Sequence, residues 1–353
     1  MPRSDKQECG ALPQLAVLVQ AAEAGLHSWV RDHVPEPVRR AALEEELGYW
    51  LNTAAKDMEY ATAYSTAAPQ SGQPATAYLD RWLPFGADAH VLVGPRYLGR
   101  NPDLPFVGVS ASDRLLAPSD REDIVALARE TFAAFKPGFV LLTTADPIGA
   151  WPDTRPEMRQ VVGSLADLRR RQTPRELSTS PRTDTDFYDR YLDIHAIHIA
   201  QDPGHARRTR CEDRADLQEL AQQGMLFDVN VNGDWAGIIA AERDARRGIR
   251  GATVSELLLD HRYRGHGYGR HLSPLLAKSL PLSDEEFLMG DDPCRQRRGL
   301  PIRTGRWAYR RRGRDSHPAL IGHLRGSRAH RQSPRLCAAS SCLTGVDVLR
   351  VRL

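Results

Sequence analysis

Arg264-Gly265-His266-Gly267-Tyr268-Gly269 is the stretch on which the fold reading turns. It follows a run from Ala252 to Leu259 that reads as a strand. It leads into a segment, about Gly267 to Leu280, whose apolar residues recur at helical spacing. A strand that ends in a glycine-rich turn and feeds a helix makes an anion site. Glycines let backbone N–H groups approach phosphate oxygens, and the helix N-terminus adds its dipole. Arg264 and Arg270 flank the turn and add positive charge. The Walker pattern is excluded, because it needs Gly-Lys-Ser/Thr. The dinucleotide pattern begun at Gly265 and Gly267 needs a third glycine where Arg270 stands, and an opening strand-helix-strand unit that this region lacks.

Working outward, Leu226 to Val231 and Asp234 to Glu242 flank Asn232-Gly233, a strong hairpin signal because both turn positions need positive φ. Two helices precede the hairpin, at about 186–201 and 211–223, the second closed by Gly224. Glu285 to Met289 begins another strand beyond the turn. The stretch 172–185 is polar, contains two prolines and reads as a linker.

Read as Arg264, Gly267 and Gly269, the turn resembles the pyrophosphate loop of the GNAT superfamily of N-acetyltransferases. The element order over about 185–290 is similar too: two helices, a hairpin, a third strand, the turn, its helix, a further strand. The resemblance implies an α/β (α+β) fold with a mixed, mostly antiparallel sheet flanked by helices. It implies acetyl-CoA as co-substrate and a primary amine of a small molecule or peptide as acceptor. It places Glu256, Leu257 and Leu258 along the pantetheine arm, and Arg264, Gly265, His266, Gly267, Tyr268, Gly269 and Arg270 around the diphosphate. Glu256 is the nearest carboxylate on that strand and the candidate general base; a solvent-facing glutamate is the competing reading.

The N-terminal half is divided into a helical region, 1–85, and an α/β region, 86–171. Pro13 to Val34 and Pro37 to Asp57 read as helices, and Glu44, Glu45 and Glu46 as a solvated helix face. Ala89 to Val93, Pro105 to Val109 and Gly138 to Leu142 read as strands, and 154–171 as a helix. Ser119 and Glu122 are spaced as a capping box. This half has the ingredients of a degenerate copy of the 186–290 domain. Its nearest approach to the turn, Gly94 to Arg100, fails on spacing, so no cofactor is expected there.

The tail, 291–353, is of another character. From Asp291 onward it holds fifteen Arg, four Asp, no Lys and no Glu, a charge of +11; with +3 for the whole chain, the first 290 residues carry 3 − 11 = −8. In the family, an Asn-bearing loop and a helix with a thiolate-protonating Tyr follow the fifth strand, and nothing after Gly290 resembles them. The tail is expected to be disordered, or an out-of-frame translation from about Asp291. A reading one nucleotide later is compatible with an amphipathic peptide containing Asn-Ala-Ala-Ala-Tyr. Loss of that segment makes a non-catalytic acyl-CoA-binding or interaction protein the alternative function. Arg310 to Arg314 would suit phosphate contacts, but an acidic body and a tail without Lys argue against a nucleic-acid binder.

Five cysteines, Cys9, Cys211, Cys294, Cys337 and Cys342, show no CxxC spacing. His195 and His198 share a helix face with Asp193 nearby, but ordinary helix histidines are the better reading, and no metal is expected. Phe187, Tyr188 and Tyr191 read as core. No run of about 18 apolar residues and no N-terminal apolar region appear, so a cytoplasmic protein without a membrane span is expected.

Overall fold

The computed structural model describes residues 13–53, 78–98, 103–146, 150–201, 211–293 and 346–352. Among the described residues eleven strands form one sheet in the order β1-β2-β3-β4-β11-β5-β10-β9-β8-β7-β6. They are β1 (Arg81–Phe85), β2 (Ala89–Tyr97), β3 (Pro105–Ser112), β4 (Phe139–Thr144), β5 (Thr154–Ser164), β6 (Leu177–Pro181), β7 (Leu226–Val231), β8 (Asp234–Arg246), β9 (Ile249–Leu259), β10 (Phe287–Pro293) and β11 (Val346–Arg352). The helices are α1 (Leu15–Ala24), α2 (Ser28–His33), α3 (Glu36–Thr53), α4 (Arg121–Thr131), α5 (Leu165–Arg169), α6 (Tyr188–Gln201), α7 (Arg214–Gln222) and α8 (Leu272–Ser279). Among the described residues only β3/β4 and β9/β10 pair in parallel. The architecture is therefore mixed α/β with a mostly antiparallel sheet flanked by helices.

One strand pattern occurs twice. β1-β2-β3, α4, β4 and β5 in the first half match β7-β8-β9, α8, β10 and β11 in the second. The last strand of each half pairs with the parallel strand of the other: β5 lies on β10, and β11 lies on β4. β5 and β11 also pair with each other at the centre. This exchange leaves no break in the sheet. α1–α3 cover the seam, packing Leu18, Val30 and Leu43 into one cluster with Leu92 from the first half and Ile249 and Met289 from the second.

Four sequence expectations are corrected. Residues 154–164 form β5 instead of a helix, because two neighbours hydrogen-bond it along its length and tertiary pairing overrides its local pattern. The expected linker 172–185 contains β6, an edge strand paired with β7 from Leu177↔Val231 to Pro181↔Phe227. Pro181 is tolerated because it ends an edge strand. β1 lies inside the expected helical region 1–85 and belongs to the sheet. The tail contributes β10 residues 291–293 and the whole of β11, so its last residues are part of the fold. Residues 294–345 lie outside the described residues.

Candidate active site

β9 pairs with β10 only through Gly251↔Phe287, Ala252↔Leu288 and Thr253↔Met289. The approach is close at its start. A Cβ on Gly251 would lie 1.9 Å from the Phe287 carbonyl oxygen, so only glycine fits. Beyond Thr253 the two strands separate, and β9 continues to Leu259 with β8 alone as its partner. A bulge at Ser255 falls in this free stretch, since Ala240 faces Glu256 and Ala241 faces Val254. Bulges bend a strand and re-aim its side chains. The result is a wedge whose open edge runs past Glu256, Leu257 and Leu258.

The wedge ends at the glycine turn. Asp260 closes β9 and accepts the Arg262 N–H at 3.0 Å and the Arg190 guanidinium at 3.1 Å. Burial alone would raise its pKa, but the hydrogen bonds from Arg262 and Arg190 prevail and hold the carboxyl well below the usual range. Gly265 and Gly267 adopt positive φ of 85° and 84°, the left-handed region that favours glycine. A Cβ at either position would meet nothing within 4 Å, so the space above both backbones is open. Gly267 caps the helical turn Tyr268–His271 with no side-chain cap hydrogen bond. That leaves the first N–H groups of this turn, which runs straight into α8, without a side-chain acceptor from the cap. His266 and Tyr268 stack with centroids 6.0 Å apart. Arg270 is exposed. Arg264 turns the other way from what its flanking position suggested. Its Nε donates to the Leu259 carbonyl at 2.9 Å, so it ties the turn to the end of β9.

Glu256 is not solvent-facing. Its side chain is 13% exposed and the His195 side chain 7%. Tyr191 Oη donates to Glu256 Oε2 at 2.9 Å, and His195 Nε2 lies 3.0 Å from the same oxygen. Glu256 Oε1 accepts the Leu257 N–H at 3.0 Å. Tyr191 Oη in turn accepts the Glu212 N–H at 2.9 Å. Burial first, and the Glu256 charge second, push the Tyr191 hydroxyl far above its ordinary range, so it stays a proton donor. Tyr191 and His195 are four apart on α6 and present one face to the carboxylate. Read in sequence, Tyr191 was core and His195 an ordinary helix histidine; their i, i+4 spacing was the available signal. Among the described residues no group of three or more His, Cys, Asp or Glu is arranged to hold a metal ion. No helix among them is long and apolar enough to cross a membrane.

No family model matches the chain. No curated protein matches it either. Solved structures do. A GCN5-related N-acetyltransferase from Sphaerobacter thermophilus is similar at 13% identity, covering 82% of this chain and 87% of its own, with a TM-score of 0.42. A GCN5-related N-acetyltransferase from Kribbella flavida is similar at 12% identity, covering 67% of this chain and 85% of its own, with a TM-score of 0.38. A conserved protein of unknown function from Staphylococcus epidermidis is similar at 8% identity, covering 65% and 90%, with a TM-score of 0.37. At these values the likeness assigns this chain no activity.

Proposed function

We propose that the chain is an N-acetyltransferase that binds acetyl-CoA in the wedge between β9 and β10 and acetylates a primary amine of a small molecule or peptide. The observation that carries this reading is the continuity of the wedge: an open strand edge, then a glycine turn at positive φ, then an uncapped helix N-terminus, with a half-buried carboxylate on the strand. The residues fit the cofactor. The backbone of Glu256, Leu257 and Leu258 offers amide partners to the pantetheine arm. The N–H groups around Gly265 to Arg270 offer donors to the diphosphate, and Arg270 adds charge.

Acetyl-CoA supplies an activated thioester. The protein supplies the proton acceptor. Glu256, with His195 hydrogen-bonded to the same carboxylate oxygen, takes a proton from the acceptor ammonium, directly or through a water. The freed amine then attacks the thioester carbonyl carbon, the C–S bond breaks, and the proton that the nitrogen releases on becoming an amide ends on the departing thiolate. Tyr191 holds the carboxylate in place by donating to it. The second reading, an acyl-CoA-binding protein without turnover, keeps the wedge and lacks the last step.

Two measurements separate these readings. Acetyl-CoA at about 100 times its Kd stabilises a protein that binds it by about 2.7 kcal/mol, which is read as a rise in Tm. Thiol release over a panel of amines then reports turnover. A Tm rise with thiol release supports the transferase, and a Tm rise alone supports the binding protein. No Tm rise removes both.

A further inference from the structure

The N-terminal half keeps an opening of its own. β3 leaves β4 after Val107↔Val140 and Gly108↔Leu141. The free stretch of β3, Val109 to Ser112, lines a cavity of about 340 Å³. α1, α2, α3, the end of β4 and the β8–β9 turn line the other sides. The volume falls within the range of about 300–1,000 Å³ seen for small-molecule sites. The walls combine apolar groups such as Leu18, Leu43 and Leu142 with the hydroxyls of Ser110 and Thr143.

Arg247 brings charge to this cavity. It sits at the β8–β9 turn with φ of 54° and donates its backbone N–H to Glu46 Oε2 at 2.6 Å. Glu46 was expected on a solvated face. Instead it faces the cavity, and burial pushes its carboxyl up, against the attraction of Arg247. Burial also pulls the Arg247 guanidinium down. Among the described residues, that guanidinium hydrogen-bonds no carboxylate. Arg114, which lines the cavity too, is engaged by Asp120 through two hydrogen bonds of 2.7 and 2.8 Å. Charges removed from water are ordinarily paired, because burying them alone is costly. Arg247 is half-buried at the cavity and its charge is attracted by Glu46, but its guanidinium itself donates to no acid among the described residues, which leaves its N–H groups for a ligand.

We propose that this cavity binds a small carboxylic acid carrying an amide, with its carboxylate on Arg247 and its amide along the open edge of β3. An unpaired strand edge recognises amides through its own N–H and C=O groups, as in strand addition by peptides. A guanidinium recognises the carboxylate through two parallel hydrogen bonds. This half has no glycine turn after its free strand, which argues against a diphosphate as its occupant.

The probe is N-acetyl-L-alanyl-L-alanine, with its C-terminal amide as the uncharged control, titrated calorimetrically into the intact chain. The acid is expected to bind, and the uncharged control to bind at least tenfold more weakly. Arg247→Gln should weaken the acid at least tenfold. Ala21→Phe, which fills the cavity from α1 and leaves the charge in place, should abolish binding. Both variants should keep the wild-type circular dichroism and a cooperative melt; if Arg247→Gln does not, Ala21→Phe decides. Saturating acetyl-CoA should leave the acid's affinity unchanged. The proposal is overturned by equal binding of acid and control, by wild-type affinity in folded Arg247→Gln or Ala21→Phe, by competition from acetyl-CoA, or by no binding of the acid at millimolar concentration.

Discussion

β3 and β9 occupy matching places in the two halves of the sheet. Each leaves its parallel neighbour two residues before a bulged serine, Ser110 in the first half and Ser255 in the second. The residue after the bulge is Ala111 in one and Glu256 in the other. The segments that follow differ as much. After β9 comes the glycine turn, open above Gly265 and Gly267. After β3 comes a segment in which Asp120 accepts the Ala117 N–H at 2.7 Å and both terminal nitrogens of Arg114. In the first half Asp120 occupies the backbone donor and the arginine; in the second Asp260 engages Arg262 and Arg190 in the same way, but the helical turn after Gly267 has no side-chain cap, and its N–H groups are the ones we propose for a ligand. Both halves keep the bulge and the divergence from the parallel neighbour, while the side chains beside them differ: Glu256 is held by Tyr191 and His195, and Ala111 offers no polar group.

The largest effect is expected from Glu256→Gln. If the carboxylate distinguishes an active half from an inactive one, turnover should fall about 10²–10⁴-fold, while the acetyl-CoA-induced rise in Tm stays. Ala111→Glu should not create activity in the first half, since no glycine turn follows it. Thiol release at saturating acetyl-CoA reads both. A Glu256→Gln chain with wild-type turnover would remove the proton acceptor from the mechanism.

Next in size is Gly267→Val. There is room for the side chain, so the cost is backbone strain, about 1–3 kcal/mol for a β-branched residue held at positive φ. Relief of that strain reorients the N–H groups of the turn. Acetyl-CoA binding should weaken at least tenfold, with only a modest fall in the Tm of the ligand-free chain. Ligand-induced stabilisation measured over a concentration series checks it; an unchanged midpoint would place the diphosphate elsewhere.

These two residues also mark what could be read from the chain alone. The turn and the hairpin at Asn232-Gly233 were legible because glycine at positive φ leaves a direct mark in sequence. The strand β5 was not, since its residues acquire strand geometry only by pairing with β10 and β11, segments more than a hundred residues away in sequence. β11 was hidden for the same reason, inside a tail whose arginines dominate its composition. The tail also sharpens one expectation. A segment that pairs with β4 from Asp347↔Thr144 to Arg352↔Phe139 is ordered in the sheet, so disorder is not the state of the whole tail. At the site, Glu256 could be named but not aimed. The bulge at Ser255 sets its direction, and bulges depend on the partner strand. Glu46 was misread because three consecutive glutamates suggest solvent, whereas α3 presents Glu46 to the β8–β9 turn and leaves Glu44 to an exposed pair with Arg40.

A smaller effect is expected in the first half. Asp120→Asn keeps the shape of the side chain and removes the charge that binds Arg114. The Asp120 side chain is 10% exposed, but that of Arg114 is 38% exposed, so solvent screens the pair and the loss should be about 1 kcal/mol. The hydrogen bonds from Arg114 hold the Asp120 carboxyl below its ordinary range. A carboxyl depressed in the folded state contributes its stabilisation fully above the unfolded value of about 3.9 and loses it as pH falls through the folded value. Wild-type and Asp120→Asn chains should therefore differ in urea midpoint at pH 7 and converge as pH is lowered below that range. Acetyl-CoA binding should be the same in both, because the segment that Asp120 closes belongs to the half without a glycine turn. A difference that persists undiminished in acid would mean that the loss does not come from the charge of Asp120, and the contrast between the segments that follow β3 and β9 would then rest on the glycines.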